Sequence, residues 1–389
     1  MRLSGHWAVL TAAVLLSGAL GSVHAFSVFI APLEDALGAT RAEISLIYSL
    51  AIVSLTAVML VGHAAHVRVA PPLLASATCL VAALGLLAAG WSGRYASFLI
   101  GYGLMFGAAN GMGYGYALYL AARALPARIG FGMGAVTAAY ALGATVFAKV
   151  FALLIARAGV SAALAGLAAF LFVVGLGAAL LLWRAGLAAQ GGDAASRVAR
   201  PVPRRGLVTV LWAGFGLGSA AGLMAMGHAA GIVAAVGGRP AEFVLGAMLI
   251  GLGNACGGLA AGWLCDRWPA ARLMAVLSGG SALVLFALAG LAQPAWVIAA
   301  LTLVGFFYGA LVAVYPVAVS GYFGPRLAGK VYGRVFTAWG LAGLAGPWMA
   351  GAVYDATGHY GPALAIAGVA ALGALAVAVV LWRGPQAAA

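Results

Sequence analysis

Apolar runs of about twenty residues recur along the whole chain, separated by short polar stretches. Helices of that length cross the hydrocarbon core of a bilayer, and within lipid only a helix or a closed barrel satisfies every backbone polar group. The pattern predicts an all-α integral membrane protein with twelve transmembrane helices, numbered segments 1 to 12. They span residues 7–30, 44–65, 71–91, 96–120, 131–156, 161–183, 207–235, 243–264, 271–291, 296–318, 331–354 and 361–382.

The charged residues avoid these segments and divide unequally between the two sides of the membrane. Five of the seven acidic side chains lie in short loops on one side, and none lies inside a segment. Of the twenty basic residues, Lys149 lies within segment 5, fifteen face the opposite side, and four share the acidic side, namely Arg41, Arg94, Arg157 and Arg239. Because Lys and Arg accumulate in cytoplasmic loops, both termini are expected in the cytoplasm. We therefore expect a multi-pass protein of the inner, cytoplasmic membrane.

The composition excludes the soluble classes of protein. The 389-residue chain is 65% hydrophobic and 7% charged, whereas a soluble domain carries about 25% charged residues. The net charge of +13 therefore reflects topology, and no nucleic-acid partner is expected because no folded basic surface is available. Segment 1 is long and leads directly into segment 2, so we interpret it as a retained helix rather than a signal peptide. The three cysteines have no disulfide or metal-ligand spacing, and we expect neither a metal nor a cofactor.

The chain contains two copies of one pattern. Gly62 at the end of segment 2 corresponds to Gly262 at the end of segment 8. Likewise, the residues after segment 4 correspond to those after segment 10: Pro126, Arg128 and Gly130 match Pro325, Arg326 and Gly329. We predict a six-helix N-terminal half (1–183), a polar cytoplasmic linker (184–206) and a six-helix C-terminal half (207–389). Parallel six-helix repeats resemble the major facilitator transporters, whose substrate site lies near mid-membrane between the repeats.

The loop after segment 8 carries a motif of the same superfamily. Gly262-Trp-Leu-Cys-Asp266-Arg267, followed by Arg272, resembles its Gly-x-x-x-Asp-Arg-x-x-x-x-Arg loop. An aspartate there can cap a helix end and pair with arginines, so we predict a cytoplasmic gate. The first-half loop has His66 in place of the acid, so the two gates need not be equally stable. The alternative is that these loops carry only the positive-inside signal. The candidate gate residues are Asp266, Arg267, Arg272, Arg68, Arg128 and Arg334.

Three stretches resemble the branch of oxalate–formate antiporters and monocarboxylate porters. Residues 26–45 resemble the end of its first helix and the following outer loop, and residues 221–228 resemble its seventh helix. Residues 322–358, which contain Tyr332-Gly-x-x-Phe-Thr-Ala-x-Gly340, resemble its tenth-to-eleventh helix region over a long stretch. The resemblance implies a secondary transporter of small carboxylates that works by alternating access.

One position departs from that branch. Its eighth helix commonly reads Asn-x-x-Gly-Arg, with the arginine facing the substrate carboxylate, whereas this chain reads Asn254-Ala-Cys-Gly257-Gly258. Segment 11 likewise has no lysine after Thr337. Without a cationic clamp the dianion oxalate is disfavoured, and a monoanion or a larger, partly apolar carboxylate remains open.

Ionisable residues inside a membrane are costly to bury and are therefore functional candidates. Lys149 could replace the lost arginine as the partner of an anion, or its side chain could extend to the outer interface. His24 and His228 lie in segments 1 and 7, which correspond in the two halves, and could bind substrate or a proton or simply join helices. Further candidate substrate-binding residues, each of which could instead serve packing, are Asn110, Tyr114, Tyr140, Asn254, Tyr308, Tyr315 and Trp339.

Two functions stay open at this point. The first is a carrier of small organic anions, with a proton or a counter-anion as the coupled ion. The second is a carrier of larger amphipathic compounds such as drugs, aromatic acids or siderophores, which the Tyr, Trp and Met content favours. No enzyme is expected, because no acid lies within a segment and no Ser/His/Asp arrangement is available. The expected partners are a small-molecule substrate and the lipid bilayer, with the monomer as the functional unit.

Overall fold

A computed structural model describes residues 3–39, 41–187 and 205–383, and helices account for nearly all of them. The first part contains α1 (Leu3–Leu20), a 3₁₀ helix (Gly21–Phe29), α2 (Ile30–Leu37), α3 (Arg41–Val61), α4 (His63–Arg68), α5 (Pro71–Trp91), α6 (Tyr95–Phe98), a π-helix (Leu99–Phe106), α7 (Gly107–Ala124), a 3₁₀ turn (Pro126–Arg128) and α8 (Ile129–Arg184). The second part contains α9 (Arg205–Ala235), α10 (Pro240–Cys265), α11 (Ala270–Ala289), α12 (Pro294–Thr357) and α13 (Gly361–Arg383). The predicted all-α class is confirmed, and the described residues contain no strand.

Two of these helices each contain two predicted segments. α8 is kinked at Gly159 (φ 82°) and α12 at Gly324 (φ 75°), where the positive φ favours glycine. With these kinks the helices account for all twelve predicted segments. Eight helical stretches of the described chain are long and apolar enough to cross a membrane, and the apolar part of α3, Leu46–Val61, is shorter than that limit.

Segments 1 and 4 are not regular α-helices, which the hydrophobic pattern did not predict. Segment 1 tightens into nine 3₁₀ residues, Gly21–Phe29, although such runs rarely exceed three or four residues. Segment 4 contains eight π-helical residues, Leu99–Phe106. Stretches of 3₁₀ or π geometry inside a longer helix often mark functional sites. These two stretches therefore direct attention to the residues that they carry.

The helices form two compact units. The first consists of residues 1–127 with 142–200, and the second of residues 128–141 with 201–389. The start of α8 thus packs with the second unit, where glycines let its backbone approach α10: a Cβ added to Gly134 would lie 2.7 Å from Gly262 Cα. The predicted division at 184–206 stays a prediction, because residues 188–204 lie outside the described residues.

Candidate functional site

His24 makes a polar contact with α3 in the first unit. Its Nδ1 lies 2.7 Å from Tyr48 Oη in a half-buried hydrogen bond. Phe26, on the same 3₁₀ stretch, stacks on Tyr48 with ring centroids 5.7 Å apart. A phenol and an imidazole can each donate or accept a proton, so this pair can bind a substrate oxygen or carry a proton.

The break in segment 1 is stabilised from segment 4. Tyr102 Oη donates to Val23 O at 3.1 Å, and Asn110 Nδ2 donates to Leu20 O at 2.7 Å. Both carbonyls lie where regular α-helical hydrogen bonding ends, so they need partners from another helix. Asn110, a candidate substrate ligand by sequence, therefore bonds the backbone of segment 1 and holds the stretch that carries His24.

Two further candidates of the first unit lie in different surroundings. Tyr114 is 4% exposed within α7, where it belongs to the packed core. Lys149 is exposed on α8. It forms no ion pair within the described parts of the chain. The structure therefore buries the tyrosine and leaves the ammonium group available to a ligand or to the outer interface.

His228, on α9 in the second unit, is held by two hydrogen bonds. Its Nε2 lies 2.9 Å from Pro347 O, and its Nδ1 lies 3.2 Å from Tyr360 Oη. A carbonyl can only accept, so the neutral ring carries its proton on Nε2 and accepts from the phenol at Nδ1. Burial, followed by Tyr354 and Asp355, raises the pKa of Tyr360, which keeps the donated proton on the phenol at neutral pH. Protonation of Nδ1 would remove this hydrogen bond.

An aromatic group lies on α9 and α12 in the second unit. Trp339 Nε1 donates to Tyr308 Oη at 2.8 Å in a buried hydrogen bond. The Trp339 ring stacks on Phe336 with centroids 4.9 Å apart, and the Phe215 and Tyr315 centroids are 4.5 Å apart. Three residues singled out by sequence, Tyr308, Tyr315 and Trp339, thus belong to one aromatic surface with a polar pair at one end.

The remaining candidates of the second unit serve close helix contacts. A Cβ added to Gly309 on α12 would lie 2.3 Å from Asn254 Oδ1, so Asn254 packs directly on a glycine backbone. Gly258, where the resembling branch has arginine, faces Thr137 and Ala138, with atoms 3.6 Å from an added Cβ. Tyr140 is half-buried on α8.

Asp266 caps the start of α8. Its Oδ1 accepts the Gly130 N–H at 2.8 Å, and its Oδ2 accepts the Phe131 N–H at 3.0 Å. N–H groups in the first turn of a helix have no acceptor within that helix, and the positive end of the helix dipole favours a carboxylate. Both oxygens of the candidate gate residue are therefore engaged with one helix terminus.

The gate arginines of the same loop contact indole rings. The Arg267 guanidinium carbon lies 3.7 Å from the Trp263 ring centroid, and its Nη1 donates to Trp263 O at 2.9 Å. Arg272 lies 5.0 Å from the Trp268 centroid. Cations placed over indole faces are attracted by the ring quadrupole. The other candidate gate residues all have exposed side chains: Arg68, Arg128 and Arg334.

Family comparison identifies the class of the protein. The family model of the Major Facilitator Superfamily matches residues 10–333 and 214–389. The chain therefore belongs to this superfamily of membrane transporters, and its fold is the superfamily's arrangement of twelve helices in two six-helix halves.

Solved structures of the superfamily share the fold along nearly the whole chain. The proton:xylose symporter XylE is 16% identical, with a TM-score of 0.75 and coverage of 98% of this chain and 96% of that chain. The E. coli fucose:proton symporter FucP is 15% identical, with a TM-score of 0.68 and coverage of 96% and 97%. The human organic anion transporter MFSD10 (TETRAN) is 16% identical, with a TM-score of 0.70 and coverage of 96% and 99%. No curated protein sequence matches the chain.

The partners of the two histidines were missed by the sequence analysis. Tyr48, Tyr102 and Tyr360 contact residues far away along the chain. In sequence they resemble the other aromatic residues of apolar helices, and no local signal distinguishes them. The histidines themselves stand out because titratable residues are rare in apolar segments.

Asp266→Asn should slow the transport cycle more than it weakens substrate binding. The substitution keeps the shape of the side chain and removes the charge from the α8 cap, which contributes about 0.5–2 kcal/mol to one conformation. We expect affinity within about twofold of the wild type and a several-fold lower turnover, because about 1.4 kcal/mol corresponds to a factor of ten. Binding titration and transport rate should be measured on the same preparation.

The matched control is Glu242→Gln, which weakens another carboxylate cap, at the exposed start of α10. That variant should transport like the wild type. Lost affinity with normal turnover per bound substrate in Asp266→Asn would contradict a gate role.

Proposed function

We propose that the chain is a secondary transporter of a partly apolar organic monoanion, a carboxylate, which works by alternating access of its two halves. Lys149 carries this proposal. It is the one Lys or Arg inside the twelve segments predicted from the sequence, and those segments contain no acid to neutralise it. Its exposed ammonium group can therefore pair with an anionic substrate.

The aromatic group supports a substrate with an apolar body. Aromatic faces bury apolar surface, while an indole N–H or a phenol O–H orients polar atoms. Trp339 and Tyr308 provide such a pair next to Phe336. MFSD10, which shares the fold, is described as an organic anion transporter. A monocarboxylate with an aliphatic or aromatic body fits this combination better than a dianion does.

A second candidate function is the transport of larger amphipathic compounds. The same aromatic group favours it, because stacked rings accept bulky apolar ligands of many shapes. The two candidates differ in their need for a cation. Only the anion carrier depends on Lys149, so the substitution described below distinguishes them.

The coupling ion follows from the titratable groups. Since the predicted segments contain no acid, a transported proton would be held by His24, by His228 or by the substrate itself. XylE and FucP are described as proton symporters. We propose proton-coupled uptake or exchange against a counter-anion, by a monomer in the inner membrane with both termini in the cytoplasm.

Lys149→Ala should abolish anion transport or reduce it at least tenfold, whereas Lys149→Arg should retain part of it. The alanine removes the cation that pairs with the carboxylate, and the arginine keeps the charge with altered geometry. Initial uptake of a labelled monocarboxylate into proteoliposomes measures the effect. The control is Arg157→Ala, which removes an exposed cation two turns further along α8. Wild-type uptake by Lys149→Ala would leave only an interfacial role for this lysine.

A further inference from the structure

A cluster of nitrogen, oxygen and sulfur side chains lies where α3 meets α4 and α7, away from His24. This His66 cluster consists of Met59, His63, His66 and Tyr116. His66 is 6% exposed, and neither Nδ1 nor Nε2 has a hydrogen-bond partner. Tyr116 is fully buried, and its Oη has no partner either. Buried polar atoms are almost always hydrogen-bonded, so three unsatisfied atoms at one place indicate a ligand.

The geometry brings His66 and Met59 to the same point. A Cβ added to Gly115 on α7 would lie 2.6 Å from Met59 Sδ and 3.1 Å from His66 Cε1. Because Cε1 is bonded to both ring nitrogens, the nitrogen edge of His66 lies close to the methionine sulfur. The His63 and His66 ring centroids are 6.2 Å apart. Two imidazoles bound to one ion at about 2.0–2.1 Å have ring centres roughly 6 Å apart.

The electrostatics of the cluster keep His66 neutral. Burial, followed by the charge of His63, lowers the pKa of His66 to about 4, and the nearby Met112 backbone opposes this shift. A histidine must be unprotonated to bind a metal. Arg123 on α7 is directed away to Tyr119, with its Nη1 2.5 Å from Tyr119 Oη.

The donor set selects the kind of ion. Within the described residues no three His, Cys, Asp or Glu side chains are grouped for a metal, so a hard divalent cation would lack anionic ligands. Neutral imidazole and thioether donors instead suit a soft ion such as Cu(I). A monovalent ion also brings the smallest uncompensated charge into a buried site.

We propose that the His66 cluster binds one Cu(I) ion through His66, His63 and Met59. The site differs from the expectation of no metal, because that expectation considered cysteine and acidic ligands and not a methionine paired with histidines. An ion here would join α3 to α4, the loop helix that corresponds to the Asp266 loop of the second half. The proposal does not depend on the transported substrate.

Anaerobic titration of the purified full-length protein with Cu(I), buffered by bathocuproine disulfonate, should give one bound ion per chain. His66→Gln should weaken binding at least tenfold, and Met59→Leu, which nearly conserves volume, should weaken it several-fold. X-ray absorption of the bound copper should show nitrogen neighbours at about 2.0 Å and a sulfur neighbour at about 2.3 Å. His359→Gln and Met226→Leu, which lie in the second unit, should bind like the wild type.

Thermal unfolding establishes that each variant is folded and gives a second readout. Cu(I) should raise the melting temperature of the wild type but not that of His66→Gln. The proposal is overturned if the folded wild type binds no stoichiometric Cu(I), or if folded His66→Gln binds it equally well. Tighter binding of Zn(II) than of Cu(I) would also overturn it. If His66→Gln does not fold, unchanged affinity and an unchanged sulfur signal in Met59→Leu would have the same meaning.

Discussion

Gly262→Ala should nearly abolish transport, whereas Gly258→Ala, one helical turn away, should remain close to the wild type. A Cβ on Gly262 would lie 2.5 Å from Gly130 O and 2.6 Å from Gly134 Cα, which are backbone atoms that cannot rotate away. A Cβ on Gly258 would meet its nearest atom at 3.5 Å, an ordinary contact. Overpacking of this kind costs about 1–3 kcal/mol. The strain falls where Asp266 caps α8, so it should also displace the cap.

The pair of variants controls for helix propensity. Both replace glycine by alanine within α10, which by itself favours the helix by about 1 kcal/mol in each case. Initial uptake rates and thermal unfolding of both variants measure the effect. Equal activity of Gly262→Ala and Gly258→Ala would show that the start of α8 does not pack closely against α10 during transport.

The double variant His24→Gln, His228→Gln should lose accumulation driven by a pH gradient while retaining exchange of substrate. Glutamine can replace the hydrogen bonds to Tyr48, Tyr360 or Pro347 O, but it cannot take up a proton. Because no acid lies within the predicted segments, the histidines are the protein's own proton carriers. The expected loss is at least tenfold in the steady-state accumulation ratio.

The measurement needs a substrate that cannot carry the proton itself. A sulfonate analogue stays anionic across the pH range, so its accumulation reports only protein-borne protons. If the wild type accumulates the carboxylate but not the sulfonate, the proton travels on the substrate. Accumulation of the sulfonate by the double variant under a pH gradient would contradict this account, because another coupling group would then exist.

The helical architecture could be predicted from the sequence because crossing a bilayer imposes a length and a hydropathy on each segment. The irregular windings could not be predicted in the same way. The 3₁₀ stretch depends on carbonyls that Tyr102 and Asn110 satisfy from 79 and 90 residues away. No local pattern in segment 1 records those partners, so Gly21–Phe29 reads as part of an ordinary apolar helix.

The candidate site could be predicted in part, for the same reason. His24, His228 and Lys149 are visible because ionisable groups are rare in apolar segments. The helix capped by Asp266 is not visible, because Gly130 lies 136 residues before it. The contact also depends on glycines of two helices, and sequence spacing alone does not pair them. The His66 cluster was noted only as a departure from a motif, because its methionine and tyrosine come from α3 and α7.

The most direct test of the central claim is uptake by the purified wild-type protein in proteoliposomes. The panel should contain labelled aliphatic and aromatic monocarboxylates, oxalate, xylose and a neutral amphipathic drug. We predict saturable uptake of at least one monocarboxylate, inhibited by other monocarboxylates and reduced at least tenfold in Lys149→Ala. Saturable uptake of xylose or of the neutral drug, with no uptake of any monocarboxylate, would contradict the account.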